Sequence, residues 1–176
     1  MAVWKHLRAI LLLPGTVTIV IPAVVLSVAG IPIRSSPSPW DFVLPAIGLT
    51  LVLLGVVLMV ATIRLFVTVG KGTLAPWNPT QRLVVRGIYR YVRNPMITGV
   101  FCILLGEAAA SGSPWLLGWF GLFCLANMIY IPLREEPGLV KRFGDDYVLY
   151  KQNVPRWVPR MKPLEGLPAD RKAPEN

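Results

Sequence analysis

Residues 94–133 read NPMITGVFCILLGEAAASGSPWLLGWFGLFCLANMIYIPL, forty positions with a single charge, Glu107. Charged, motif-like segments flank them: RGIYRYVRNP from Arg86 to Pro95, and REEPGLVKRFGDDYVLYKQNVP from Arg134 to Pro155. Forty residues are too many for one crossing of a hydrocarbon core about 30 Å thick, which a helix rising about 1.5 Å per residue spans in roughly 20. Ser111-Gly112-Ser113-Pro114, near the middle, is a turn signal. It leaves two apolar arms of about 18 residues, just enough for a tight helical hairpin across a bilayer.

Two more apolar runs precede the hairpin. Ala9 to Ile33 is uncharged for 25 residues and Phe42 to Ile63 for 22, each long enough to span. Composition agrees: 54% of residues are hydrophobic, 15% are charged and mean hydropathy is +0.57, too apolar for an ordinary soluble domain. The first run exceeds the usual apolar core of a signal peptide, and its small-residue site at Val28-Ala29-Gly30 is weak, so it is expected to be retained. The expected fold is all-α and integral to the membrane. It has four transmembrane helices, the last two a tight hairpin, and a kinked amphipathic cytosolic helix near the C-terminus. Residues 1–69 form a two-helix membrane segment, 70–158 the core, and 159–176 a tail rich in Pro and charge that composition marks as disordered.

Lys and Arg beside the spans set the orientation. Lys5 and Arg8 precede the first span, and only Arg34 follows it. The second connection carries Lys71, Arg82, Arg86, Arg90 and Arg93 with no acid, and the hairpin turn has no charge. Both termini and the second connection are therefore expected in the cytoplasm. The net charge of +9 then reads as a topology signal aided by anionic headgroups, not as a nucleic-acid footprint. Tyr89-Arg90-Tyr91 reads the same way, as an interfacial anchor. Two cysteines, Cys102 and Cys124, make neither a disulfide framework nor a metal site, and small apolar packing accounts for them. His6 is the only histidine, which argues against histidine catalysis and metal binding. The absence of an internal repeat argues against an inverted-repeat transporter.

The flanking segments have readable local structure. Asn94 before Pro95 is a helix start, Asn as cap and Pro at the first helical position. The third span thus points its free N–H groups and positive dipole end at the cytoplasm, a setting that suits a carboxylate or phosphate. Glu135 and Glu136 before Pro137 read as acids at a second helix start. Leu139, Val140, Phe143, Tyr147, Tyr150 and Val154 recur every three or four residues as one apolar face, with a kink expected at Gly144.

These residues resemble a known family. Gly87, Tyr89-Arg90, Arg93-Asn94-Pro95 and Gly99 are similar to the G-x-Y-R…R-[HN]-P…G signature of the isoprenylcysteine carboxyl methyltransferase and phospholipid methyltransferase family. Glu135-Glu136, Leu139, Phe143-Gly144, Tyr147, Tyr150 and Val154-Pro155 resemble its E-E…L…F-G…Y…Y…V-P signature, at the family's spacing. The resemblance covers Lys71 to Pro159, about half the chain. It implies an integral membrane methyltransferase that uses S-adenosylmethionine, held between the hairpin and the C-terminal helix, and a lipophilic acceptor drawn from the membrane. One departure is Ile97, where family members often have Tyr.

On that reading Arg93, with Arg90, pairs the cofactor carboxylate, while Glu135 and Glu136 accept from ribose hydroxyls or the ammonium. Arg93 and Glu136 are the catalytic pair, placed at the wet cytoplasmic edge on opposite parts of the cofactor. Tyr89, Asn94, Pro95, Gly99, Asn127, Tyr147 and Tyr150 complete the expected cofactor site. Each has a bland alternative: headgroup anchoring for the arginines, helix-terminus charge balance for the glutamates, an apolar helix face for the tyrosines, and a helix–helix hydrogen bond for Asn127. Glu107 lies near the outer turn and is expected to serve structure, and Arg64 to snorkel. Methyl transfer to a carboxylate needs no general base, whereas an amine would have to lose a proton. The lack of a cytoplasmic histidine therefore leans towards an anionic acceptor. Two other readings are a sterol-reductase-like enzyme using NADPH, which would carry many more spans, and a membrane scaffold or small transporter.

Overall fold

The computed structural model describes residues 11–30, 40–70 and 80–165. Lys5, His6, Arg8, Arg34, Lys71 and the last part of the expected tail, 166–176, lie outside the described residues. Apart from a single bridge residue at Arg82, the regular structure among those described is helical. A π-helical segment, Leu11–Val20, runs into α1 (Ile21–Ala29), followed by α2 (Trp40–Thr68). One 3-10 turn, Gly87–Arg90, leads to α3 (Pro95–Ser111) and α4 (Pro114–Tyr130). A π-helical turn, Ile131–Glu135, then feeds α5 (Glu136–Phe143) and α6 (Asp145–Asn153).

Two helical stretches are long and apolar enough to cross a bilayer, Trp40–Thr68 and Pro114–Phe143, while Pro14–Ala29 and Pro95–Ser111 are shorter and equally apolar. Helix α2 leaves Phe42, Leu49, Leu53 and Val57 exposed, so large apolar residues lie on its surface as on a helix solvated by lipid. Its buried stripe is Gly48, Gly55 and Thr62, one residue every seven. That stripe lies antiparallel on α3, with Gly48 against Gly106 and Gly55 against Gly99. A Cβ on Gly48 would stand 2.5 Å from the Gly106 carbonyl oxygen, and one on Gly106 2.5 Å from that of Gly48. The backbones touch because no side chain intervenes, a packing that suits helices in lipid, where water no longer drives association.

Gly112, at φ +65, ends α3 in the left-handed region, and the Ser113 hydroxyl then caps α4 by accepting from Leu116 N at 3.4 Å. The two helices are therefore joined by two residues. Trp119 Nε1 donates to Val17 O at 3.2 Å and ties the N-terminal segment to α4. The expected helix start at Glu135-Glu136-Pro137 is absent. Pro132 has no N–H to give, and the chain passes it in a wide turn where Glu136 N donates to Ile131 O, five residues back. The helix thus runs unbroken from Pro114 to Phe143. It stops at Gly144, whose φ of +56 and ψ of −137 suit glycine alone, and α6 leaves in a new direction.

A second core forms beyond the ends of α3 and α4, from Val85, Phe143, Tyr147, Tyr150 and Val154, with Leu83, Leu139, Val140 and Leu164 packed around it. Leu164 belongs to the stretch that composition assigns to the disordered tail. Residues 159–165 are instead held in place, with Arg160 N bonded to Tyr91 O and Leu164 N to Arg90 O, both at 3.0 Å. Composition misjudges them because their partners lie some seventy positions earlier. Glu107 has a buried Oε2 with no hydrogen-bond partner among the described residues. Cys102 and Cys124 are free.

Candidate active site between α3, α4 and the C-terminal helices

Gly87, at φ +54, starts a single tight turn that drives Tyr89 inward, where its ring stacks on Phe66 with centroids 5.7 Å apart. The Tyr89 carbonyl accepts from the Tyr150 hydroxyl at 2.8 Å, so α6 is bolted to this turn. Three residues on, the chain reaches Arg93. Its main-chain N–H donates to Pro155 O at 2.9 Å, and its guanidinium enters the protein with 9% of the side chain exposed.

Arg93 and Glu136 meet directly. Arg93 Nη1 donates to Glu136 Oε1 at 2.9 Å, Arg156 Nε donates to the same oxygen at 2.7 Å, and Lys151 Nζ lies 2.7 Å from Oε2. The Glu136 side chain is 2% exposed. Burial pushes this carboxyl up, but the hydrogen bonds from Arg156 and Lys151 and the charge of Arg93 outweigh it and hold it below its usual range. Neither residue sits at a wet edge: both side chains are buried and they pair with each other. Glu136 is the buried knot that ties α3, α6 and the C-terminal segment together.

A cavity of about 610 Å³ opens beside this knot. Of the expected site residues, Tyr89, Arg93, Asn94, Asn127, Glu135, Tyr147 and Tyr150 line it, while Arg90, Pro95, Gly99 and Glu136 do not. Each of the four has another task. Arg90 Nε donates to Leu164 O at 2.6 Å, Pro95 is the buried first residue of α3, Gly99 lets α2 approach, and Glu136 is the knot. Of the two neighbouring glutamates, Glu135 faces the cavity while Glu136 turns into the knot. Glu135 keeps accessible surface because it borders the cavity. The protein packed around it raises its carboxyl above the usual range, and the charge of Glu136 adds to this.

Two features of the cavity wall suit an anion. Among the described residues Arg93 Nε is buried with no hydrogen-bond partner, although Nη1 is occupied. Asn94 stands at the N-cap of α3 but makes no side-chain capping bond; its carbonyl accepts from Thr98 N at 3.0 Å. The first turn of α3 presents Met96 and Ile97 to the cavity, with first-turn N–H groups that the helix itself cannot satisfy. Asn127 spends Nδ2 on Phe123 O at 2.8 Å within its own helix. Sequence reasoning missed Arg134 and Arg142 on the lining and Lys151 and Arg156 on the knot. Arg156 directly follows the Val154-Pro155 signature, the one local hint available.

A family model described as phospholipid methyltransferase matches residues 43–146. The chain belongs to the phospholipid methyltransferase family. The match runs from α2 to the start of α6 and so includes the glycine crossing, Arg93 and both glutamates. Among curated proteins, the chain is similar to protein-S-isoprenylcysteine O-methyltransferase of Schizosaccharomyces pombe, 39% identical over 88 residues, which cover 47% of this chain and 35% of that protein. The aligned part therefore spans about a third of the relative's length. No solved structure matches the chain.

Proposed function

We propose that this protein is an integral membrane methyltransferase that moves a methyl group from S-adenosylmethionine to a lipophilic acceptor entering from the bilayer. The observation that carries the reading is the cavity in which Arg93, whose buried Nε has no partner among the described residues, and the carboxylate of Glu135 border one apolar space. The residues fit that cofactor. Arg93 Nε and the first turn of α3 would hold its carboxylate, Glu135 its ammonium or ribose hydroxyls, and the aromatic wall with Tyr89 and Tyr147 its adenine. Bound there, S-adenosylmethionine supplies a methyl group already activated by its sulfonium.

The protein's remaining tasks are to align and to exclude water. The Glu136 knot holds Arg93, and the stacked Tyr89 and Phe66 close the wall behind it. An apolar arm reaches Pro14, Val17, Val100 and Phe123, and it suits a hydrocarbon chain delivered from lipid. Arg93, Arg134 and Arg142 face one acid, Glu135, on the lining. That balance favours an anionic oxygen acceptor such as a carboxylate, and the similar protein of Schizosaccharomyces pombe is named as an O-methyltransferase. In this reading the N-terminal stretch, α2, α3 and α4 span, the last two as a hairpin capped by the cytosolic helices α5 and α6. Both termini are cytoplasmic.

Calorimetry of the purified protein tests the proposal. S-adenosylmethionine and its demethylated product should bind with affinity in the range of roughly 1–100 μM. Arg93→Lys keeps a charge for Glu136 but loses the planar fork. It should fold and bind about ten- to a hundred-fold more weakly, the worth of a charge-assisted hydrogen bond of about 1.5–3 kcal/mol. No heat or thermal shift from wild-type protein at millimolar cofactor refutes the reading.

A further inference from the structure

After α6 the chain doubles back along the loop that carries the site. Arg93 N donates to Pro155 O, Arg160 N to Tyr91 O and Leu164 N to Arg90 O. Between these ties, residues 156–162 read RWVPRMK, with three basic residues and no acid. Arg156 is taken up by Glu136, and Arg160 spends one N–H on Asn153 O at 3.0 Å. Trp157 turns inward onto Phe101, ring centroids 5.3 Å apart. Its neighbours turn outward: Val158 is 74% exposed and Met161 96%.

The position of this loop gives those exposures meaning. Phe101 lies six residues into α3, about 9 Å along the helix from Pro95. Helix α3 has 17 residues, about 25 Å, less than the roughly 30 Å of a hydrocarbon core. A span that short draws its ends into the boundary layer. Residues 90–93, to which the loop is bonded, come just before α3 begins, so the loop lies at that end of the span, and Trp157 reaches inward from the hydrocarbon–headgroup boundary, the usual place for tryptophan, onto Phe101. Val158, Met161, Arg160 and Lys162 radiate from the same point.

We propose that residues 156–162 are an interfacial anchor that docks on anionic phospholipid, with Val158 and Met161 in the acyl boundary and Arg160 and Lys162 against headgroup phosphates. The proposal rests on α3 and α4 spanning the membrane, and not on the chemistry of the cavity. Because the anchor is bonded to residues 90–93, it holds Arg93 and the cavity at the depth where a soluble cofactor and a lipid-borne acceptor can both arrive.

The test uses the full chain with Cys102→Ser and Cys124→Ser, carrying Met161→Cys labelled with an environment-sensitive dye. The protein is reconstituted in vesicles of phosphatidylcholine alone or with about 30% phosphatidylglycerol, an anionic surface. The dye should be quenched by nitroxide lipids labelled near the headgroup and shielded from acrylamide, a neutral aqueous quencher. Shielding should increase by about twofold or more in the anionic vesicles, and Arg160→Glu with Lys162→Glu should abolish that increment. Strong acrylamide quenching in both vesicles, or shallow quenching equal in both, overturns the anchor. A dye at Leu53→Cys in α2 reads the spanning topology separately: quenching there by deeply placed nitroxides shows that α2 is inserted. With α2 inserted, a water-exposed label at 161 counts against the anchor alone.

Discussion

Glu136→Gln separates a buried structural knot from a ligand-binding group. The substitution keeps the shape of the side chain and removes the charge that three cations share. Arg93, 9% exposed, loses its counter-ion inside the protein, whereas Arg156 at 28% and Lys151 at 43% can turn to water. Removing one partner of a buried pair costs about 3–5 kcal/mol, and contacts with solvent-reaching partners add little. The Gln carbonyl can still accept one hydrogen bond, so we take the low end, about 3 kcal/mol. For a chain of this size each kcal/mol moves the midpoint by about 2–4 °C, which gives a fall of roughly 6–12 °C at pH 7. Tryptophan fluorescence of the detergent-solubilised protein during heating reads it.

The pH dependence supplies a second sign. The carboxyl of Glu136 titrates lower in the folded protein than in the unfolded chain. Its stabilisation is therefore present above the unfolded value of about 4.3 and is lost as pH falls through the lower folded one. The variant should lack that acid-side loss. Glu135 works in the opposite direction. Its folded value is raised, so its contribution is complete below the unfolded value and disappears as pH rises through the folded one. Glu135→Gln should then leave stability at pH 7 unchanged or slightly higher, while weakening cofactor binding. A Glu136→Gln midpoint within about 2 °C of wild type would refute the burial argument. So would a Glu135→Gln protein that melts early yet binds normally.

Three further outcomes are expected. Gly106→Ala and Gly48→Ala each place a methyl 2.5 Å from an opposing carbonyl and should cost about 1–3 kcal/mol. Gly118→Ala and Gly121→Ala, with open space around them, should leave the same melting curve unchanged. Tyr150→Phe strands the buried Tyr89 carbonyl and should cost about 1–3 kcal/mol in the same melt. On topology, a cysteine introduced at Asn78, outside the described residues, should resist a membrane-impermeant reagent added to intact cells. Ready labelling from outside would overturn the cytoplasmic placement of that connection.

The family and the helical class were legible in the sequence because they rest on local facts. Hydropathy over long windows marks apolar helices, Gly112 and Gly144 mark breaks that need unusual dihedrals, and the two signatures lie close along the chain. Arg93, Asn94, Glu135 and the tyrosines could be singled out for the same reason. Which neighbour of Glu135-Glu136 faces the cavity is different. It depends on the rotation of a helix about its axis, and the π turn at Pro132 changes that rotation in a way no hydrophobic period records. The pairing of Glu136 with Arg93 and with Arg156 joins residues 43 and 20 positions apart across a kink. The glycine crossing likewise needs α2 laid against α3, since a glycine in an apolar run does not say what approaches it. The sequence determined which segments would be helical and which polar groups were available. Only packing decided which of those groups would satisfy one another and which, like Arg93 Nε, have no partner among the described residues.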